Sequence, residues 1–544
     1  MNIIFASTAY IEPGRVATGL PNYLRHISHS LAKMGHDVTI VYSANYNQIR
    51  NENGVEVIAV HVPRLTADDE LETSRVRGVA DAYYINRKIE EMMRDRLFDI
   101  IQFSSLEGIG RLYRKDVPAV MRLSSYHKTY FASGITICAE LRDARAEEER
   151  KAARGMDGVF APCQITAQAF SMDTGIDVDI IESPFENDVQ EMDKTVYEER
   201  ISGRKYFLFF GTLYAEKGIL IIAKTLHDFL GKHEDYYFVA AGDVTNIGGI
   251  GADKILLDGA GEFAERVIIL PALPHKCLYP VIEGAEFVVL PSLMDNLPNA
   301  CIEAMYFGKI VIGTDGASFE QLIDDEKNGF LCGIGDAVSL LNKMEKVATL
   351  DAITKKRMEK LAHQRITKLD SEKVAQNLIE YYKDIIANKG NNKAYREEAD
   401  QAYKSAEKFI NDRLNEIKKA YMEEADKRFL QSRVLLRWVD ILRKGSDYKG
   451  FFSKREYKSI VIYGVYDIGK MLIEDLINNG LNVVYAIDRI HRNTCVKIYT
   501  PDSELPDADV MVVTPISSFQ EIKSSLSRRF KGSIVSLEDV LFDE

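Results

Sequence analysis

Several features common in secreted, membrane-spanning and nucleic-acid-binding proteins are missing from this 544-residue chain. Cysteine is scarce: Cys138, Cys163, Cys277, Cys301, Cys332 and Cys495 are scattered, with no close pair of the kind zinc sites and redox motifs use. That pattern fits reduced thiols in a cytoplasm. No uninterrupted apolar run is long enough to span a bilayer. The opening MNIIFASTAY has no basic stretch before its apolar residues, so a strand is expected there and not a signal peptide. Cations are outnumbered, 69 Lys and Arg against 82 Asp and Glu, and a formal charge of −13 argues against wholesale nucleic-acid binding. The expectation is a cytoplasmic protein, soluble or held peripherally at the inner face of the plasma membrane.

What is present is ordinary soluble composition, 46% apolar and 28% charged, in a chain too long for one core. Short apolar runs alternate with amphipathic stretches, which signals α/β units around parallel sheets. Strands are expected at Asn2–Ala6, Asp37–Tyr42, Val55–Val60, Ile100–Phe103, Ala119–Leu123 and Gly158–Ala161, with a helix from Pro21 to Met34. A charged, poorly patterned stretch, Val189–Arg204, is expected to be a hinge. The alternation restarts with Tyr206–Phe210, Tyr237–Ala241, Val267–Leu270, Phe287–Leu290 and Ile310–Gly313, and a helix Glu372–Ile386 follows. Two such sheets in sequence imply two Rossmann-like domains whose strand ends face a common cleft. The predicted division is residues 1–190, 204–388, a charged helical linker 391–447, and a small Rossmann-like domain 456–544.

The segment PSLMDNLPNACIEAMYFG, Pro291–Gly308, carries the most chemistry. A strand ends at Leu290, a polar loop follows, and a helix starts near Pro298 or Asn299. A helix start offers unpaired N–H groups and a positive dipole end, which suits a phosphate. Asp295 and Glu303, with seven residues between them, stand before and inside that helix and are expected to face one ligand. Taken alone, an acidic residue near a helix start is as well explained by capping.

The pattern PS-x-x-D-N-x-P-N-x-x-x-E-A-M-x-x-G, with Val311 and Glu320 beyond it, resembles the donor-site signature of glycosyltransferase family four. FFGTLYAEKG at Phe209–Gly218 resembles that family's phosphate loop, and DDEKNGFL at Asp324–Leu331 its downstream turn. The resemblance covers Tyr206–Leu331 strongly and Met1–Phe185 more loosely. It implies the GT-B fold, here followed by a long helix and a third small α/β domain, and sugar transfer from a UDP- or GDP-sugar with retention at the anomeric carbon. By the same resemblance Asp295, Glu303 and Lys217 are the catalytic set. Lys217 would pair with the donor diphosphate, Glu303 with the ribose hydroxyls, and Asp295 would lie near the sugar. Gly211 and Thr212 would belong to the phosphate loop, and the amides of Asn299 and Ala300 would hold phosphate oxygens.

The sequence departs from the family at several points. Thr212 stands where an Arg usually follows the loop glycine, and Asp295 where Glu is commoner. The first loop, TAYIEPGRVATGLPNYL, lacks the double glycine; Gly19 is its remaining candidate, and Arg15 is weighed as a replacement cation against a surface role. After Ala119–Leu123 the family often has His; here Ser124 or Ser125 fills the slot and His127 follows, an active-site group or a surface histidine. His26 and His29, one helical turn apart, lack a third ligand. No acidic metal-binding loop follows a strand, so neither a catalytic metal nor a cofactor is expected.

In the last segment, SIVIYGVYDIGKMLIEDL has Gly464 and Gly469 in dinucleotide-fold spacing but Tyr466 at the middle glycine, with Asp488 spaced for a ribose contact. Nucleotide binding and a packing or assembly role both stand. In the linker, Ile410, Leu414, Ile417 and Tyr421 form an apolar seam, read either as a short coiled coil joining two copies or as a solvated connecting helix. Arg433, Arg437, Arg443 and Lys444 around Trp438 fit a membrane surface carrying a lipid-linked acceptor, or a helix packed between domains. The acceptor is expected to be a glycan or a lipid-linked glycan. A sugar-nucleotide epimerase of GT-B fold and a donor-binding regulatory subunit are the competing readings.

Overall fold

The computed structural model describes residues 1–12, 19–65, 70–129, 139–187, 189–388, 393–444, 449–490 and 494–543. Gly14, Arg15 and Cys138 therefore lie outside the described residues. The chain divides into two compact units, Met1–Ile410 and Asn411–Glu544.

The first unit holds two large sheets. Strands β1 (Asn2–Ser7), β2 (Asp37–Ala44), β3 (Gln48–Glu52), β4 (Val55–His61), β5 (Ile100–Ser104), β6 (Ala119–Arg122), β7 (Gly158–Ala161) and β8 (Asp179–Ile180) form one sheet in the order β3-β4-β2-β1-β5-β6-β7-β8. Only β3 is antiparallel to its neighbour. Alternation along β1 sends Ile3 and Phe5 to one apolar layer and Ile4 and Ala6 to the other, so both faces are covered. The second sheet contains β9 (Lys205–Phe210) and β10 (Tyr236–Ala241). A two-residue hairpin, β11 (Asn246–Ile247) with β12 (Ile250–Gly251), intervenes before β13 (Val267–Leu270), β14 (Phe287–Leu290), β15 (Val311–Thr314) and β16 (Phe330–Cys332). Its order is β13-β10-β9-β14-β15-β16, all parallel.

In each sheet the chain starts in the middle and builds outward in both directions. The first sheet reverses between β1 and β5, the second between β9 and β14. A crevice opens at such a switch point because the two following loops run to opposite faces. In the second sheet those loops are residues 211–218 and 291–298, the two segments that carry Lys217 and Asp295.

Helix Ser371–Ala387 returns from the second sheet to the first: Val374, Leu378 and Tyr382 pack into the same layer as Ile3 and Phe5, and the Tyr382 hydroxyl donates to Gln102 Oε1 at 2.7 Å. The crossing between halves differs from the expected hinge at Val189–Arg204. Asp193 N–H bonds Lys276 O, and Tyr197 lies against Gly284, so this stretch, with its short helix Thr195–Arg200, is packed on the second half. The outgoing and returning strands meet earlier, where Phe185 N–H bonds Leu369 O and Arg365 pairs with Glu182. The charged residues conceal this packing: Ile201 is fully buried in the core of the second half, with Val189, Met192, Val196 and Tyr197 packed against it.

The linker is one 52-residue helix, Lys393–Lys444. Its beginning belongs to the first unit: Arg114 lies 3.9 Å from the Tyr403 ring centre and pairs with Asp400, while Tyr83 Oη donates to Glu407. Along the expected seam Ile410 is buried and Tyr421 is 74% exposed, so the seam is not packed along its length. In the second unit Trp438 is buried with Val434, Ile441 and Phe452, which removes it from a membrane-facing surface, and Arg437 donates to Leu541 O. The remaining strands, β17 (Ile460–Tyr463), β18 (Val483–Ile487), β19 (Ile498–Tyr499), β20 (Val510–Val513) and β21 (Ser533–Ser536), form a parallel sheet in the order β19-β18-β17-β20-β21.

Candidate active site

Glycine decides how the two loops of the second sheet meet. Gly218 has φ +83°, and a Cβ there would stand 2.1 Å from the Pro291 carbonyl oxygen. Gly211 has φ +123°, and its carbonyl presses on Gly242, where a Cβ would lie 1.9 Å away. A side chain at Gly218 would push the two loops apart, and one at Gly242 would displace the first of them at Gly211. In contact, they are tied by Leu293 N–H to Glu216 O at 2.8 Å, and Lys217 Nζ reaches Asp295 Oδ2 at 2.5 Å. The second Asp295 oxygen accepts the Asn296 N–H, and its backbone carbonyl accepts Ser318 Oγ. Ser318 holds φ +70°, a left-handed conformation uncommon outside glycine. Thr212 is half-buried in the same loop and adds no charge.

Helix Asn299–Tyr306 follows directly. Pro298 occupies its cap position, no side chain caps it, and no acid stands in its first turn. Its opening amides therefore keep their donors available for an anion. Glu303, five residues in, lines a pocket with Asn299, His275 and Tyr279 from the second half and Gly19, Tyr23, His26 and Ser183 from the first. A methyl group on Gly19 would stand 3.7 Å from the Asn299 side-chain amide. The pocket holds about 40 Å³, against a few hundred for a typical small-molecule site, so a larger ligand enters only if the halves separate.

The structure thus brings Lys217 to Asp295, and Gly19, Asn299 and Glu303 to one another. Among the described residues, neither Asp295 nor Lys217 lines the pocket that Glu303 faces. Gly211, Thr212 and Ala300 do not line it either.

His127 is not a surface histidine. It is buried, its Nδ1 is 2.9 Å from Glu149 Oε1, and its own N–H bonds the other Glu149 oxygen. Glu149 is fully buried, and that burial raises its pKa against the opposing pull of His127. Sequence reasoning missed this partner because it lies 22 residues away on a different element.

Asn296 was also missed. Its amide donates to Ser124 O at 2.7 Å and its carbonyl accepts Thr166 Oγ1 at 2.8 Å, so it clamps the loop after β14 to the first half. The signal was available: Asn296 sits inside the DNxPN run beside Asp295. Gln321 makes a second clamp, donating to Pro162 O and Glu182 and accepting the Gln164 N–H. Among the described residues no group of three or more His, Cys, Asp or Glu is arranged to hold a metal ion.

Residues 193–365 match the family model for glycosyl transferases group 1, and residues 18–179 match the glycosyl transferase 4-like domain. The two ranges follow one another, divide where the two sheets divide, and together span more than half of the chain. The chain belongs to the GT4-like glycosyltransferases. A curated relative, the alpha-D-kanosaminyltransferase of Streptomyces kanamyceticus, is 28% identical over 131 residues, which is 24% of this chain and 33% of that protein. The match spans about a third of the relative's length. Sucrose-phosphate synthase from Thermosynechococcus elongatus superposes with a TM-score of 0.57 at 16% identity, over 71% of this chain and all of that one. Anabaena HepE, solved in complex with UDP and glucose, gives 0.52 at 16% identity over 70% of this chain and 99% of its own. At such identities these neighbours establish the GT-B fold for the glycosyltransferase's first unit.

Proposed function

We propose that this glycosyltransferase moves a sugar from a UDP- or GDP-sugar to a glycan or lipid-linked glycan, with retention and without a catalytic metal or cofactor. The observation that carries the reading is Lys217 at the switch point, 2.5 Å from Asp295, beside an uncapped helix start that holds no acid. In this reading the bond between the sugar's anomeric carbon and the donor phosphate breaks while the acceptor hydroxyl oxygen bonds that carbon and its proton passes to the leaving phosphate. The leaving diphosphate collects the charge, and Lys217 with the Asn299 and Ala300 amides stabilises it. Glu303 holds the ribose, Asp295 orients the sugar, and Gly211 and Thr212 shape the phosphate loop. The UDP and glucose of the Anabaena neighbour support a nucleotide-sugar donor on this fold.

A donor-binding subunit without turnover is the second reading. It is favoured by Thr212, which leaves the phosphate loop one cation short. Turnover with a panel of UDP- and GDP-sugars separates the two, after a thermal-shift screen has found the donor that stabilises the fold. Turnover is expected to survive exhaustive EDTA treatment; complete loss, restored by magnesium or manganese, would mean that a metal carries the diphosphate charge. For the 411–444 part of the helix the reading is assembly or peripheral attachment: Tyr421, Met422, Phe429 and Leu436 are exposed along it.

A further inference from the structure

Several half-buried arginines of the described residues have acids beside them, and Arg266 is held by backbone carbonyls. Arg111 pairs with Glu148, Arg114 with Glu90 and Asp400, and Arg365 with Glu182. Arg122, the last residue of β6, is 4% exposed and has no carboxylate partner among the described residues. Its Nη1 donates to Ser124 Oγ at 3.0 Å and its Nη2 to Ser183 Oγ at 2.9 Å. The guanidinium carbon lies 3.7 Å from the Tyr23 ring centre, and Nε has no partner. Burial alone drags its pKa below the usual arginine range. Two hydroxyls and an aromatic face satisfy some donors but do not neutralise the charge, and an unneutralised buried charge is costly.

The position explains why such a group would be kept. Tyr23 and Ser183, which hold Arg122, both line the pocket shared with Gly19, Asn299 and Glu303. Ser124, the third group holding it, accepts Asn296 through its carbonyl. Arg122 thus stands at the carboxyl edge of the first sheet, behind Tyr23 and Ser183 and not itself lining the pocket, in a chain whose phosphate loop has Thr212 in place of a cation.

We propose that Arg122 is an oxyanion site completed by a phosphate group of the molecule bound in this cleft, the donor diphosphate. The planar fork of a guanidinium matches two phosphate oxygens, and Nε with the free edge of Nη supplies the donors. The first half would then provide the positive charge that Thr212 withholds in the second. This rests on the cleft being a nucleotide-sugar site.

The test uses the full-length protein as wild type, Arg122→Met and Arg122→Lys. Melting is followed without ligand, and calorimetric titrations use UDP, GDP, the matching nucleosides and inorganic phosphate. Without ligand, Arg122→Met is expected to melt at or above wild type, since an apolar side chain replaces an unpaired charge. Its affinity for UDP or GDP, whichever wild type takes, falls about ten-fold or more, while the nucleoside changes by less than about two-fold. Arg122→Lys lies between, keeping the charge without the fork. Unchanged nucleotide affinity with lost binding of inorganic phosphate would keep the oxyanion site but assign it to a phosphorylated acceptor. Unchanged affinity for both, or lowered melting in both variants with an unchanged ratio of nucleotide to nucleoside affinity, overturns the proposal and leaves a merely structural arginine. If wild type binds neither UDP nor GDP, the nucleotide-sugar reading fails separately, and the inorganic phosphate titration alone decides for or against Arg122.

Discussion

The loops after β9 and β17 leave equivalent places in two parallel sheets and are used in opposite ways. Both follow a central strand at a switch point, and both open on a left-handed glycine, Gly211 and Gly464. After β9 the loop leaves a lysine facing the neighbouring loop and leads toward an uncapped, acid-free helix start. After β17 the same kinds of group are consumed internally. Asp488 accepts the Val465 and Ile490 N–H groups, Thr514 Oγ1 donates to Gly464 O, and Asp467 stands in the first turn of helix Asp467–Asn478. Gly469 is needed for packing, since a Cβ there would lie 1.9 Å from the Gly464 carbonyl oxygen. The glycine spacing in the last sheet thus serves the fold, while its anion-binding capacity is already spent on its own backbone. A shared topology supplies a crevice, and only the residues on the loops decide whether a ligand has anything to bind.

The largest effect should come from breaking the first loop. Lys217→Met is expected to lower turnover with the cognate donor about 100-fold, the scale of losing one preorganised charge at a leaving group. Asp488→Asn, assayed beside it, should change turnover by less than about two-fold. Equal losses in the two variants would abolish the distinction drawn between the loops.

A smaller effect is expected from Glu303→Gln. It should weaken the donor about ten-fold, the cost of one charged hydrogen bond, with melting unchanged. Measuring UDP against the 2′-deoxy nucleotide sharpens the assignment: the variant should lose most of the wild-type preference for the ribose hydroxyl. A preference that survives intact would assign the ribose to another residue.

The smallest effect tests whether a buried charge away from the cleft behaves like those inside it. Asp81 is 4% exposed, and its carboxyl is pushed up from 3.8 to about 6, chiefly by burial. Among the described residues its ion pair, to an exposed Arg77, is long at 3.9 Å. Between the two values the unfolded chain has released a proton that the folded chain still holds, so stability falls as pH rises through that window. Asp81→Asn should therefore be more stable than wild type by roughly 3 kcal/mol above pH 7, with the difference vanishing below about pH 4. Denaturant melts across that range check it; a gain independent of pH would point to packing instead of charge.

Much of the fold was legible because parallel strands buried on both faces leave near-continuous apolar runs such as YFLFF and FVVL. The short edge strand β8 was not legible. Its residues Asp179 and Ile180 are exposed and carry no such signal. In the site, the PN-x-x-x-E segment announced the helix start because its phosphate chemistry is local. The clamp through Asn296 and the burial of His127 against Glu149 depended on partners from other elements.

Local patterns therefore determined the strands, the two-sheet plan and the loop glycines, since side-chain period and backbone φ act within a few residues. The tertiary structure decided which charges meet. Topology alone sets the loops after β9 and β14 side by side, joining Lys217 to Asp295 across 78 positions. It also closes Arg122 behind Tyr23 and Ser183, which come from distant stretches of chain. Charge pairing between distant elements is a matter of distance in space, and no spacing along the chain encodes it.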